Sequence, residues 1–412
     1  MSQATLAESR VKNRFPVCDL RNLIECLQSE GRLLHMSRNV LPEPDVQAFC
    51  RAASELGGSS LLFDRITGYE GSRLALNLLA SWGNCALMCG LPVDTTVREI
   101  VEELCFRANH SQCKPTWIER EDSPSYECME TNAADLYAVL PLFRVNPHDG
   151  GYYLHKACVV SKDPSAGVGR DRMKFGMYSL QVQGRDRLGV DLAGTDDLSL
   201  HLRNAERVNH PLRVAVCLGV PPLAALVASA AIGYERTEYD LISALYDRPF
   251  ELTRCLQSNL SVPVYSEFVL EGHIEPGLRC PEGPFTCDGG GFSEIKRQPQ
   301  IIVTAIAHRK NPVLDNTYVG KSWAERDCMV GLASTLRLHK QARDFLPEIA
   351  RSGTRAQGVH LRLGFCGGHL DGKRCADGIA FQDVLPAESE LSGYKQEIRE
   401  VRRRQAQCHS RT

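Results

Sequence analysis

The sequence predicts a mixed α/β (α+β) fold in more than one unit, and three observations carry that reading. At 412 residues the chain is longer than one core comfortably fills. Its first part alternates helix-period runs with short apolar strands, and from about residue 140 the texture changes to β-branched runs bounded by Gly, Asp and Pro.

The elements follow in order. "DLRNLIECLQSEGRLLHM" opens on Asp19 as an N-cap, sets Leu20, Leu23, Ile24 and Leu27 at helical spacing, and stops at Gly31 before a short strand. "LPEPDVQAFCRAASEL" and "GGSSLLFDRI" read as a second helix, a glycine stop and a buried strand. "TTVREIVEELCFRA" is a further helix, and the polar, Pro-containing stretch 111–124 marks a boundary. "YYLHKACVVS", "KFGMYSLQVQG", "LGVDLAG", "LRVAVCLGV" and "IIVTAIAH" then make a sheet-rich middle, barrel-like or sandwich, into which "PPLAALVASAA" inserts a helix. "SWAERDCMVGLASTLRLHKQARDFLPEI" is helical. "CGGHLDGKRCADG" is rich in glycine and charge, and the end, "YKQEIREVRRRQAQCHSRT", reads as a basic helix or frayed tail with a solvated arginine face.

Composition excludes some functions. Hydrophobic residues at 43% and charged residues at 24% are ordinary for a globular protein. Lys+Arg 48 against Asp+Glu 50 leaves a net charge of −2, which favours neither nucleic acid nor an anionic membrane. The opening segment lacks the apolar core of a secretory signal, and no window offers the ~18 apolar residues of a membrane span, so a cytoplasmic location is expected. Seventeen cysteines are scattered without a CxxC pair, which fits reduced thiols better than disulfides or a zinc site.

The residues alone offer modest chemistry. In "CPEGPFTCDGGGF", residues 280–292, Glu282 precedes a Gly-Pro turn and Cys287 and Asp288 precede three glycines. Glu271 and Glu282 together offer an acid and base pair if their surroundings differ, or a strand end and a turn cap. "GVPP" at 219–222 is a strand-to-helix junction of the kind that binds anions, but no GxGxxG or P-loop is present. His155, His201, His210, His273 and His308 stand apart without metal-ligand spacing and read as structural or surface residues.

Several segments together resemble the UbiD family of prenylated-FMN-dependent decarboxylases. "CDLRNLIECLQSEGRLLHM", "GGSSLLFDRITGYEGSRLALNLLAS", "MKFGMYSLQVQGRDRLGV", "PLRVAVCLGVPPLAALVASA", "TEYDLISAL", "LSVPVYSEFVLEGHIEPGLRCPEGPF" and "IIVTAIAHRKNPVLDNTYVG" occur in the family's order and spacing. The resemblance implies an N-terminal α/β domain (1–115), a central split-barrel flavin-binding domain (116–315) and a C-terminal α/β region (316–412), incomplete relative to the family because the match fades after "GVHLRLGF". It further implies reversible, non-oxidative decarboxylation of an aromatic or α,β-unsaturated carboxylic acid, a homo-oligomer, and a prenyl-flavin synthase as cofactor supplier.

Carried over residue by residue, the family's glutamate of the "EGP" turn is Glu282, and its closing acid falls on Cys287 with Asp288 next. The flavin contacts it implies are Lys174, Met177, Tyr178, Ser179, Leu192 and Ala193. Glu238 matches the glutamate that holds a divalent, Mn²⁺-like metal on the cofactor phosphate. The metal-binding asparagine falls on Lys174, whose ammonium can replace the ion's charge, and the metal-site histidine falls on Thr195 or Asp196. The arginine that positions the acid falls on Ser179. A thiol at Cys287 titrates at about 8.5 when unperturbed, so it is protonated at neutral pH and able to give a proton. Three readings therefore stand: a working decarboxylase, a degenerate homologue serving as a binding or scaffolding subunit, or an altered reaction using Cys287.

Overall fold

The computed structural model describes residues 16–131, 134–165, 173–230, 232–234, 236–287, 291–320, 325–345 and 388–409. The first helix, Leu20–Ser29, starts where the Asp19 carboxylate accepts from the Asn22 N–H at 2.8 Å, and it buries Leu20, Leu23, Ile24 and Leu27. The chain leaves it through Gly31, at φ 66°, into β1 (Leu33–Met36). The expected second helix is shorter than the apolar pattern alone implies. Two prolines keep Pro42–Val46 in a separate π-type turn, and the α-helix begins at Gln47 and runs to Glu55. β2 (Ser60–Phe63) lies parallel to β1, and β3 (Arg73–Leu76) antiparallel to β2. The helices Trp82–Met88 and Val97–His110 follow, the second opened by a capping box between Thr96 and Glu99.

After the short β4 (Thr116–Trp117) and β5 (Cys128–Glu130) comes the barrel. Its strands are β6 (Tyr152–Lys162), β7 (Met173–Gly184), β8 (Arg187–Val190) and β9 (Leu212–Leu218). β10 (Glu251–Arg254) and β11 (Ser261–Pro263) form a small separate sheet with β4. β12 (Phe268–Ile274), the hairpin of β13 (Cys280–Glu282) and β14 (Lys296–Gln298), and β15 (Gln300–His308) complete this region. The order β12-β9-β6-β7-β8-β15 closes on itself through a β12–β15 pairing, so six antiparallel strands make a barrel and β5 adds to its rim. Of the two expected forms, barrel or sandwich, the chain takes the closed one, which leaves no open edge among those six strands.

Alternation decides which side chains fill it. Val159, Leu180, Leu188, Val216, Leu270 and Ile301, one from each barrel strand, share a single apolar cluster inside. Their strand neighbours Cys158, Ala215, Cys217 and Val269 face outward, against the helices Pro222–Ala228 and Glu238–Tyr246. From the barrel the chain returns to the first sheet, where β16 (Val313–Asn316) pairs parallel with β3 and gives the order β1-β2-β3-β16.

The helix Glu325–Phe345 follows. The expected tail is the helix Glu388–His409, and it is docked rather than solvated. It buries Leu391 and Ile398, sets the Tyr394 ring edge-on to Phe49 at 4.9 Å, and pairs Lys395 with Glu55 and Glu397 with Arg38. The glycine-rich "CGGHLDGKRCADG" lies outside the described residues. The cysteines among the described residues are free thiols. Burial pushes those of Cys50, Cys85, Cys158 and Cys217 up, which keeps them protonated.

Candidate active site

The β13–β14 hairpin carries the loop that the sequence singles out. Glu282 ends β13 opposite Lys296, and its side chain is buried. The turn after it needs glycine. Gly283 has φ 101°, and a Cβ there would sit 2.8 Å from the Glu294 carbonyl oxygen. Gly150 comes equally close from the other side, where a Cβ would meet the Gly283 carbonyl at 2.5 Å, and the Gly150 N–H donates to the Pro284 carbonyl at 2.7 Å. The Thr286 N–H and hydroxyl both donate to the Asp149 carboxylate at 2.8 Å. The Phe285 N–H donates to the Ser293 hydroxyl at 2.9 Å, and the Ser293 N–H returns to the Phe285 carbonyl at 2.8 Å. These bonds fix the loop around the carboxylate, and burial pushes Asp149 above the usual carboxylate range despite them.

The phenol of Tyr153 donates to Glu282 Oε1 at 3.0 Å. Tyr153 and His155 occupy one face of β6, with rings stacked 5.5 Å apart at 8°, and Phe285 lies 5.2 Å from the first ring. His155 Nδ1 meets the Ser179 hydroxyl at 3.1 Å, while Nε2 is buried with no hydrogen-bond partner among the described residues. Burial drives His155 down to about 3, with the Arg326 charge acting the same way, so the imidazole is neutral. Burial and then the Glu282 carboxylate push Tyr153 up, which keeps the phenol a donor. Ser179 is thus engaged by His155, and Glu282 has a phenol as partner. The sequence reading missed Tyr153. The i, i+2 spacing in "YYLH" is the signal that puts it on the face of His155.

Along β7 the burial pattern breaks in the middle. Gly176, Met177 and Tyr178 are half-buried in a strand otherwise closed up to Gln181. The Asp191 N–H donates to the Ser179 carbonyl at 3.3 Å, which brings the half-buried Leu192 and the exposed Ala193 near that stretch, and Gln298 Nε2 donates to the Leu192 carbonyl at 3.1 Å. Tyr178 shares the Lys174 face of β7, and its oxygen accepts from the Leu198 N–H at 3.3 Å and meets Asp196 at 3.5 Å. The half-buried Met177 offers an apolar contact, and the orphaned imidazole nitrogen a polar one, to a flat heteroaromatic group such as a flavin.

Five residues of strand, about 16 Å, separate Ser179 from Lys174. There the Lys174 ammonium lies 3.4 Å from Glu238 Oε1 and 3.4 Å from Asp197 Oδ2, and the Phe175 N–H donates to Glu238 Oε2 at 3.1 Å. Burial pushes Glu238 up to about 7, although Lys174 pulls the other way. Of the acidic and hydroxyl residues at this helix start, Asp197 is the one paired with Lys174. Asp196 is the N-cap of the helix Asp197–Arg207, which places the next residue in the first turn toward Lys174. A divalent metal does not fit these residues, because an ammonium stands among the oxygens that would hold it. The described residues contain no group of three His, Cys, Asp or Glu able to hold an ion.

Other candidates fall elsewhere. Glu271 accepts from the Leu256 and Gln257 N–H groups at 2.6 and 2.7 Å and from the Tyr126 hydroxyl at 2.7 Å, which makes it an anchor for the 256–257 turn. The Cys287 N–H donates to the Gly291 carbonyl at 2.7 Å and its thiol to the Phe285 carbonyl at 3.9 Å, so it is engaged within its own loop. Asp288 lies outside the described residues.

Comparison with known proteins gives the chain a family. The profile of the 3-octaprenyl-4-hydroxybenzoate carboxy-lyase Rift-related domain matches residues 118–322, and that of the corresponding N-terminal domain matches residues 24–104. The chain is 39% identical over 332 residues to a phenolic acid decarboxylase of Bacillus subtilis (strain 168), covering 80% of this chain and 70% of the relative. It superposes on the vanillic acid decarboxylase of Sedimentibacter hydroxybenzoicus in its closed form with a TM-score of 0.78 at 36% identity, covering 82% of this chain and 71% of that one. The UbiD-class enzyme HmfF from Pelotomaculum thermopropionicum, solved in complex with FMN, gives a TM-score of 0.72 at 25% identity over 85% of this chain and 79% of that one. With two domain profiles matched in order and a relative this similar over most of both lengths, the chain belongs to the UbiD family of carboxy-lyases.

Proposed function

We propose that the chain removes CO₂, without net oxidation, from an aromatic or α,β-unsaturated carboxylic acid with the help of prenylated FMN. The observation that carries this reading is the buried carboxyl of Glu282, held by the Tyr153 phenol at the head of a laced Gly-Pro turn. Beside it run the half-open strip of β7 and the unpartnered His155 Nε2. The flavin-bound structure of HmfF supports the cofactor class. The names of the relatives that act on phenolic and vanillic acid point to a hydroxylated benzoic acid as the first substrate to try.

Breaking the bond to the carboxylate leaves its electron pair on carbon, and bound prenylated FMN supplies the sink for that pair. The chain's own residues do the rest. Met177, Ser179, Leu192 and Ala193 line the strip that holds the ring system, and Lys174 lies nearer the start of the same strand. Tyr153 keeps the Glu282 carboxyl in one position, and Glu282 delivers a proton to the carbon that has lost CO₂, so a C–H bond replaces the broken C–C bond. The neutral His155 offers Nε2 to a polar group of cofactor or substrate without adding charge. Cys287 serves the loop's shape in this reading, with Asp288 next to it in the chain. A homo-oligomer and a prenyl-flavin synthase as supplier belong to the same proposal.

The test is to produce the chain together with a prenyl-flavin synthase, record its absorption spectrum, and measure CO₂ release from a panel of hydroxylated benzoic and cinnamic acids. A bound-flavin band with turnover of at least one acid is expected. Folded, colourless protein inert to the panel would favour a scaffolding role instead.

A further inference from the structure

Lys174 sits where few lysines do. The residue is 3% exposed, and its Nζ lies 2.8 Å from the Arg236 carbonyl oxygen, 3.1 Å from that of Gly233, and 3.4 Å from both Glu238 Oε1 and Asp197 Oδ2. The Tyr234 ring lies below it at 5.6 Å. Four oxygens from two parts of the chain, Gly233 to Glu238 and the helix start at Asp197, converge on one buried cation, and an ammonium with three protons has no donor left over. Two carbonyls and two carboxylates are also the hard-oxygen set that a divalent ion collects, at about 2.0–2.6 Å instead of about 3 Å. A second cation entering this cage would have to share its oxygens with the ammonium, in a site too buried for water to screen the repulsion.

We infer that the side chain of Lys174 is the built-in replacement for the divalent cation of the cofactor site, so that this enzyme holds a flavin phosphate without a metal ion. The inference rests on the proposed flavin reading for its ligand, a phosphate monoester. Its first half, exclusion of the ion, rests only on the cage. Of the two carboxylates, Glu238 is fixed by the Phe175 N–H and is almost wholly buried, whereas the Asp197 side chain is 31% exposed. The phosphate therefore exchanges with Asp197 on the ammonium, and Glu238 and the two carbonyls keep Lys174 in place. No bond to the cofactor forms or breaks in this step. One anionic partner of the ammonium replaces another.

Two measurements test it. In the first, Mn²⁺ is titrated calorimetrically into flavin-free protein. Wild type shows no saturable binding up to about 1 mM, and Lys174→Ala, which frees the oxygens, gains it. Stoichiometric Mn²⁺ binding by wild type below that concentration would overturn the inference whatever the variant does. In the second, protein produced with a prenyl-flavin synthase is dialysed against EDTA, and metal per flavin is measured by mass spectrometry. Flavin retained with far less than one metal per flavin is expected. Flavin that leaves with a stoichiometric metal would sink the inference while upholding the flavin reading. Protein that never acquires flavin but still refuses Mn²⁺ would support the cage and count against the proposed function.

Discussion

Glu282 was legible through the family resemblance, since its neighbours alone leave a turn cap open as its use. Its partner was not. Nothing in "GGYYLHK" ties a phenol to an acid 129 positions away, and only the antiparallel register, which sets Tyr153 opposite Gln181, brings the two together. Asp197 was hidden for a local reason. Asp196 and Asp197 are both acidic, and the helix start gives them different work, one as cap and one as Lys174's partner. Replacing Tyr153 by Phe keeps the ring between His155 and Phe285 but leaves a buried carboxylate short of one donor. Such a loss costs about 1–3 kcal/mol, so CO₂ release at equal flavin content should fall about tenfold or more, and unchanged turnover would remove Tyr153 from the account.

The elements with their own start signals were the readable ones. Asp19 caps the helix it was expected to cap, and Thr96 opens the helix Val97–His110 in the same way, because a cap is satisfied within three residues and needs no tertiary partner. Barrel closure was not readable. Alternation in β12 and β15 announces strands, but their mutual pairing is settled by the twist and length of the whole ring. The terminal helix was misjudged because its arginine run dominates the local pattern, yet Leu391, Tyr394, Ile398 and Val401 recur at helical spacing and form the stripe that docks. Ile398 is fully buried against the first domain. Ile398→Ala should cost about 2–4 kcal/mol, lowering the melting temperature by several degrees and exposing the terminal helix to protease. A variant as protease-resistant as wild type would mean that the helix docks elsewhere.

In the molecule as a whole, the site is assembled by long returns of the chain. β16 runs back from the barrel to complete the first sheet, and its Asn316 side chain accepts from the His155 N–H at 3.0 Å and donates to the Tyr153 carbonyl at 2.8 Å, which fixes the strand that bears the site. Lys156 joins the same seam, paired at 2.5 Å with Asp315 of β16 and at 2.9 Å with Glu325. Two carboxylates around one buried ammonium leave a surplus negative charge, and burial with the Glu325 charge pushes Asp315 up to about 7. Both sheets and the helix Glu325–Phe345 thus converge behind Tyr153 and His155, a convergence that no local stretch of sequence records. The central claim is that Glu282, carried on this scaffold, gives the proton that follows loss of CO₂. Its most direct test is CO₂ release by Glu282→Gln, a near-isosteric change, compared with wild type at matched flavin occupancy. The account predicts that flavin is retained while turnover falls by about 10²–10⁴-fold. Turnover within a few-fold of wild type would contradict it.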